Sequence, residues 1–210
     1  MQHKKSTLRL NLLAMFIAII ILQTSIPLIG YIPIGTLDIT IIQVTVVIAT
    51  ILMGTLDGAI IGGVWGLVTF IRAFAYPTSP LAAIVFVNPI VSIFPRIMIA
   101  VVAGMTYKAL KNRIAKRSVS VSVAAVLGSL TNTILVLGLI YVFYKAKAPQ
   151  LYQINLKDLL PYLLGVVGTN GIPEAIFSGV VTPLIAVPLG NILNRRGRWL
   201  LIRRHSKQTD

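Results

Sequence analysis

Apolar runs long enough to cross a bilayer follow one another along nearly the whole chain, and this confines it to a membrane-spanning helical bundle. A hydrocarbon core about 30 Å thick takes around 20 helical residues per crossing. That ruler places six transmembrane helices near residues 10–29, 38–53, 56–74, 84–107, 119–144 and 171–193. The expected fold class is therefore all-α, an integral membrane protein in which residues 1–210 form a single six-helix membrane domain. The N-terminal run imitates a signal peptide, but it is long and no small-residue cleavage site follows it, so it reads as a retained first helix.

Composition agrees: 56% of the 210 residues are apolar, 11% are charged, and mean hydropathy is +0.88. The formal net charge of +14 would suit a nucleic-acid partner if it were spread over a surface, but it is not. Lys4, Lys5 and Arg9 precede the first run. Lys108, Lys111, Arg113, Lys116 and Arg117 fill one mid-chain gap, and Arg195, Arg196, Arg198, Arg203, Arg204 and Lys207 close the chain. Basic clusters beside apolar spans are topology signals that mark the cytoplasmic side. With an even number of crossings, both termini are expected in the cytoplasm of a bacterial cell, with no nucleic-acid partner.

On this topology "MGTLDG" (53–58) is a tight cytoplasmic turn between the second and third helices. "GYIPIGTLD" (30–38) and "AFAYPTSPLA" (73–82) face outward, and their Gly, Pro, Tyr and Thr content is that of ordered irregular loops able to form a lid. "LLPYLLGVVGTNGIP" (159–173) interrupts the last apolar stretch, which predicts a short outer-interface helix followed by the sixth crossing. Gly58, Gly62 and Gly66 recur every four residues and predict a helix face that another backbone approaches closely within this protein.

The polar residues inside the spans carry the functional signal. In "FVNPIVSIFPRIMIA" Asn88, Ser92 and Arg96 stand four residues apart and are expected on one inward helical face. A guanidinium at mid-span costs several kcal/mol, so it must face protein, water or an anionic ligand. Two readings stand for Arg96: it bonds carbonyls freed by Pro89 and Pro95, or it holds a ligand. In "TNGIPEAIFSG", Asn170, Pro173 and Glu174 suit a helix start, yet Asn170, Glu174 and Ser178 also share a face. Glu174 is the carboxylate placed to meet Arg96; whether it pairs with it or only caps a helix stays open. "SLTNTI" adds Ser129, Thr131, Asn132 and Thr133 to the fifth helix. The expectation is a polar ligand pocket among the late helices, open to the outer face.

Cysteine is absent, His3 and His205 are terminal, and no G-x-x-x-x-G-K-[ST] occurs. Thiol chemistry, a buried histidine site and ATP binding through a P-loop are thereby excluded, and no enzyme is expected.

The six spans, Ala14-x-x-x-Ala18 on the first helix, "NPIVSIFPRIMIAVVAG" on the fourth and "NGIPEAI" opening the sixth resemble the membrane-embedded substrate-binding (S) component of energy-coupling factor (ECF) vitamin transporters. Within that family the chain is most similar to the pantothenate subunits. The resemblance implies a vitamin-binding subunit of an ATP-driven importer, partnered by a transmembrane coupling subunit and two cytoplasmic ATPases, with no cofactor of its own. It maps the docking motif onto Ala14 and Ala18, and the substrate pocket onto the last three helices and the outer loops. Arg96 would clamp the carboxylate of pantothenate; Asn88, Asn132 and Asn170, with Ser92, Thr131 and Glu174, would meet its amide and hydroxyls; Tyr76 and Phe86 would cover its methyls. Another vitamin or precursor, pyridoxine-like or hydroxymethylpyrimidine-like, is the alternative within transport, although such ligands give Arg96 no carboxylate. A membrane scaffold packing through its small-residue faces is the alternative from another class.

Overall fold

A computed structural model describes the backbone of residues 2–34, 37–77, 80–145 and 156–206, and the side chains of 7–26, 29–31, 40–77, 82–145 and 160–193. Helix α1 (Gln2–Ser25) and a single turn α2 (Pro27–Gly30) lead into two short strands, β1 (Tyr31–Ile34) and β2 (Leu37–Thr40). The strands pair antiparallel, Tyr31 opposite Thr40 and Ile34 opposite Leu37. The fold is otherwise helical, and "GYIPIGTLD" forms a hairpin where an irregular loop is expected, because backbone groups next to an apolar bundle need partners and the two arms supply them to each other. Gly35 and Thr36 lie outside the described residues.

The next helix, α3, spans Ile42–Met53 and starts four residues later than predicted. Its twelve residues rise about 18 Å, short of a membrane. Residues Ile42 to Ile51 are all buried, so α3 is the central post of the bundle, packed by α1, α4 (Thr55–Ala75), α7 (Phe94–Leu110), α8 (Arg117–Tyr144) and α10 (Ile172–Ser206). Gly54 joins α3 to α4 with φ 110°, a conformation that side-chain-bearing residues rarely adopt, which gives the tight turn its glycine.

Helix α4 presents its glycines to neighbouring elements at close range, as their spacing predicts. A Cβ on Gly62 would overlap the carbonyl of Arg96, and one on Gly66 would fall 2.6 Å from the Cα of Ile93. Gly58 abuts Thr50 of α3 in the same way. The glycine face thus serves packing within the chain and sets how near the backbone around Arg96 lies to α4.

Proline divides the fourth segment. Where one helix was expected over 84–107, the chain makes α5 (Pro80–Val85), a break at Asn88, α6 (Pro89–Ser92), a turn at Ile93, and then α7. Pro89 and Pro95 have no N–H to give the carbonyls four residues back, so the ladder cannot run through. The last segment shows the opposite departure. Helix α9 (Leu156–Val166) continues into α10 through a π-helical turn, Val167–Gly171, whose wider ring bonds the N–H of Ile172 to the carbonyl of Val167. Pro173 therefore sits inside a continuous helix; the wide turn accommodates the N–H it lacks, and no separate helix begins there.

Five helical stretches are long and apolar enough to cross a bilayer: Thr7–Ser25, Thr55–Ala75, Pro89–Leu110, Arg117–Tyr144 and Leu160–Leu193. Large apolar side chains point away from the bundle along them, Leu56, Phe74, Ile134, Leu164 and Leu184 among the most exposed. That outward apolar coat identifies a multi-pass membrane protein.

Arg9 and Arg117 mark one end of the bundle, where α7 runs into Lys108, Lys111 and Arg113. Arg9 pairs with Asp57 in the first turn of α4, Thr55 beside it touches α7 at Gly104, and Arg117 at the start of α8 donates to Asn191 of α10 at 3.3 Å. The hairpin, the Arg72 guanidinium bonded to the Thr24 carbonyl, and Tyr144 bonded to the Ile84 carbonyl lie at the other end.

Candidate binding site

Arg96 occupies the first turn of α7 with 6% of its surface exposed. Its Nη1 donates to the carbonyl of Val91 at 2.9 Å, which is the acceptor that Pro95, four residues further on, leaves unbonded. The backbone-satisfying reading is therefore correct for one edge of the guanidinium. The Nε–H on the other edge is buried with no partner among the described residues. Trp65 of α4 and Phe86 flank the group, their ring centroids 5.3 and 5.1 Å from Cζ, so π faces favour the cation from two sides. Trp65 adds a second buried donor without a partner, its Nε1–H.

Glu174 is also buried, and it lies within electrostatic reach of Arg96, as does Tyr31. The two charges are not paired: among the described residues the ion pair is Arg9–Asp57. Glu174 instead accepts from the backbone N–H of Thr40 at 2.9 Å and from Nε2 of Gln43 at 3.3 Å. It caps no turn of its own helix; it ties the end of β2 and the start of α3 to α10.

Gln43 Nε2 also donates to Ser129 Oγ of α8 at 2.9 Å, which brings α3, α8 and α10 to one polar junction. Asn132 lies one turn after Ser129, and Asn170 one turn before Glu174. Both asparagine Oδ1 atoms are buried without partners, as is Oε1 of Gln43. Gly171 leaves the π turn in contact with Thr133, so the asparagine-bearing elements touch. Around Arg96 stand Trp65 and Phe86, with Glu174 in electrostatic reach, while Gln43 joins Glu174 to Ser129; Gln43 and Trp65 are residues the sequence reading does not single out.

Other expected members stand differently. Asn88 does not share a helical face with Arg96; it is the N-cap of α6, its Oδ1 accepting from Ile90 N at 3.0 Å. Ser92 is fully buried but donates to the Asn88 carbonyl at 3.0 Å. Thr131 donates to the Leu127 carbonyl of its own helix at 2.7 Å, and Tyr76, at the end of α4, is 79% exposed. Ala14 and Ala18 are both exposed on α1. Thr78 and Ser79 of the second expected lid loop lie outside the described residues.

Buried polar atoms without partners are scarce in folded proteins. Here Arg96 and Glu174 lie buried and unjoined, and two donors and three acceptors, on Arg96, Trp65, Gln43, Asn132 and Asn170, are buried without partners among the described residues. Such a set of groups suits a small molecule carrying one anionic group and several neutral hydrogen-bonding groups.

A protein-family model described as "ECF transporter, substrate-specific component" matches residues 8–186. The chain belongs to this family. It is therefore a transporter component and not an enzyme, one that works with an ECF module and a small-molecule substrate. A relative from Leuconostoc mesenteroides subsp. mesenteroides, named as a pantothenate transporter, is 36% identical over 184 residues, 85% of this chain and 88% of its own. A second, from Lactococcus lactis subsp. cremoris and named as a pantothenic acid transporter, is 30% identical over 154 residues, 67% of this chain and 72% of its own.

Proposed function

We propose that the chain is the pantothenate-binding subunit of an ATP-driven importer in a bacterial cell membrane. It forms a single membrane domain that crosses six times, α3 completing the set from the bundle interior, with both termini in the cytoplasm and the pocket toward the outer face. A transmembrane coupling subunit and two cytoplasmic ATPases supply the energy, and Ala14 and Ala18 form the docking face. The names of the two relatives support the vitamin's identity.

The observation that carries the reading is the half-used guanidinium of Arg96. Nη1 is spent on Val91, while the edge formed by Nε and Nη2 is the one that offers two parallel N–H bonds to a carboxylate. Pantothenate brings that carboxylate, together with an amide and two hydroxyls for Asn132 and Asn170 and a gem-dimethyl group for Phe86. Asn88, Ser92 and Glu174, which have partners of their own, shape the pocket around it, Thr131 stands beside it on α8 with its hydroxyl spent on its own helix, and Tyr76 belongs to its outer rim. Binding of pantothenate and of pantothenol, whose hydroxyl replaces the carboxylate, to the purified chain tests this. Strong preference for pantothenate is expected; equal affinity for both, or no binding of either, rejects it.

A further inference from the structure

The amide of Gln43 lies at the centre of the bundle with no exposed surface. Its nitrogen is fully used, donating to Ser129 Oγ and to Glu174 Oε2, and its oxygen is buried without a partner. This orientation is not interchangeable with the flipped one. A carboxylate oxygen only accepts, so turning the amide over would set Oε1 against Glu174 Oε2 and strand both. Glu174 is itself fixed by the Thr40 N–H at the end of β2. Thr40, Glu174, Gln43 and Ser129 therefore form a chain of bonds that points the Gln43 oxygen away from both of its tethers. Asn132 and Asn170, one turn from Ser129 and Glu174 respectively, leave acceptor oxygens unmatched in the same region.

The two charged residues give a ligand its polarity. An anionic group is drawn to Arg96 and repelled by Glu174, so the end of the molecule that approaches Glu174 is neutral. We propose that Gln43 is a specificity residue whose Oε1 accepts a hydrogen bond from a hydroxyl at that neutral end. Glu174 is a positioning residue that fixes the amide without touching the ligand. This deepens the small-molecule site proposed above and rests on it.

The test uses the purified full-length chain, pantothenate, pantothenol, and two pantothenate analogues in which one hydroxyl or the other is replaced by fluorine, removing the donor at nearly constant size. Wild type should bind one fluoro analogue about tenfold or more weakly than pantothenate. Gln43→Met should weaken pantothenate by a similar factor and bind that analogue equally well, while keeping the wild-type preference for pantothenate over pantothenol. Glu174→Ala should give the same pattern, whereas a merely structural role would lower affinity for every compound alike. If Gln43→Met still discriminates fully between hydroxyl and fluorine, the assignment of Gln43 is overturned with the pantothenate reading intact. Failure of wild type to bind pantothenate overturns that reading instead. Should the variants not fold, the side-chain carbonyl resonance of Gln43 in labelled wild type decides: it must move on adding pantothenate and not on adding the weaker analogue, and an unmoved resonance overturns the proposal.

Discussion

Two arginine–carboxylate couples occupy this bundle, and they are built oppositely. Arg9 and Asp57 close on each other: Nε donates to Oδ1 and Oδ2 at 3.0 and 2.8 Å, and Nη2 reaches Oδ1 as well. Asp57 is buried in the first turn of α4, where the helix dipole also favours its charge, while Arg9 is more than half exposed. Arg96 and Glu174 are both buried and turned to separate partners, Val91 for one, Thr40 and Gln43 for the other. A couple that satisfies itself fastens two helices and offers nothing further. A couple held apart leaves the Nε–H of Arg96 buried and unmatched, which a packed bundle tolerates at a cost unless something else meets it.

Exchanging the two arginines in turn gives the largest contrast. Arg96→Ala should reduce pantothenate affinity by about 2–5 kcal/mol, roughly thirtyfold to several thousandfold, as measured by titration calorimetry. Arg96→Lys should also bind poorly, because an ammonium cannot reproduce the two-bond edge. Arg9→Ala should leave affinity unchanged and lower thermal stability, since Asp57 stays buried without its cation. Comparable losses of affinity in both alanine variants would erase the distinction between the couples.

The closed couple also settles which side of α1 faces the bundle. With Arg9 fastened to α4, and Phe16 and Ile20 buried, Ala14 and Ala18 lie on the opposite, exposed side. Replacing both by Leu should abolish uptake by the assembled transporter while pantothenate binding by the isolated chain is retained, because bulky side chains keep another helix from close approach. Normal uptake in the double variant would remove this face from docking.

A subtler change acts on the open couple through the backbone. Gly62→Ala sets a methyl against the Arg96 carbonyl, so α7 must shift; overpacking of this kind costs about 1–3 kcal/mol of stability. Because the displaced backbone carries Arg96, affinity should fall with stability. Gly63→Ala, on the neighbouring face where a Cβ meets Ile97 at no less than 3.6 Å, should change neither.

The sequence shows which residues are out of place in lipid more clearly than it shows how they are held. Arg96, Glu174, Asn132 and Asn170 stand out because each is polar within an apolar run, and each carries a buried polar group. The four-residue spacing of Asn88, Ser92 and Arg96 misleads because it presumes an unbroken helix, and Pro89 and Pro95 remove two of the bonds that would make it one. The prolines were visible; the size of the break was a tertiary outcome, set by Tyr144 and Arg96 reaching the freed carbonyls. The last α-helix starts at Ile172, within a residue of the expected position, but Pro173 and Asn170 have the chemistry of a fresh helix start, and only the backbone reveals the π turn that joins it to the helix before. Gln43 was legible in principle as a lone amide in "DITIIQVTVVIAT". The run reads only as one more apolar crossing, and its burial on every side is a property of the assembled bundle.

The smallest expected effect lies at adjacent residues of α8. Thr131 and Asn132 are successive positions on one helix, about 100° apart around its axis, so they cannot face the same neighbours. Thr131 spends its hydroxyl on the Leu127 carbonyl of its own helix, whereas Asn132 is 9% exposed and its Oδ1 finds no protein partner. Thr131→Val keeps the shape and removes a bond that a helical carbonyl, already part of the backbone ladder, can lose at little cost. Stability and pantothenate affinity should each stay within about 0.5 kcal/mol of wild type. Asn132→Leu, similar in size, should weaken pantothenate by about tenfold or more, since it replaces an unmatched acceptor that the ligand's donors are expected to meet. If Thr131→Val proves as damaging as Asn132→Leu, the polar lining extends around α8 to a face that the observed hydrogen bond closes off, and the contrast between self-satisfied and open groups fails at the finest scale at which it can be put.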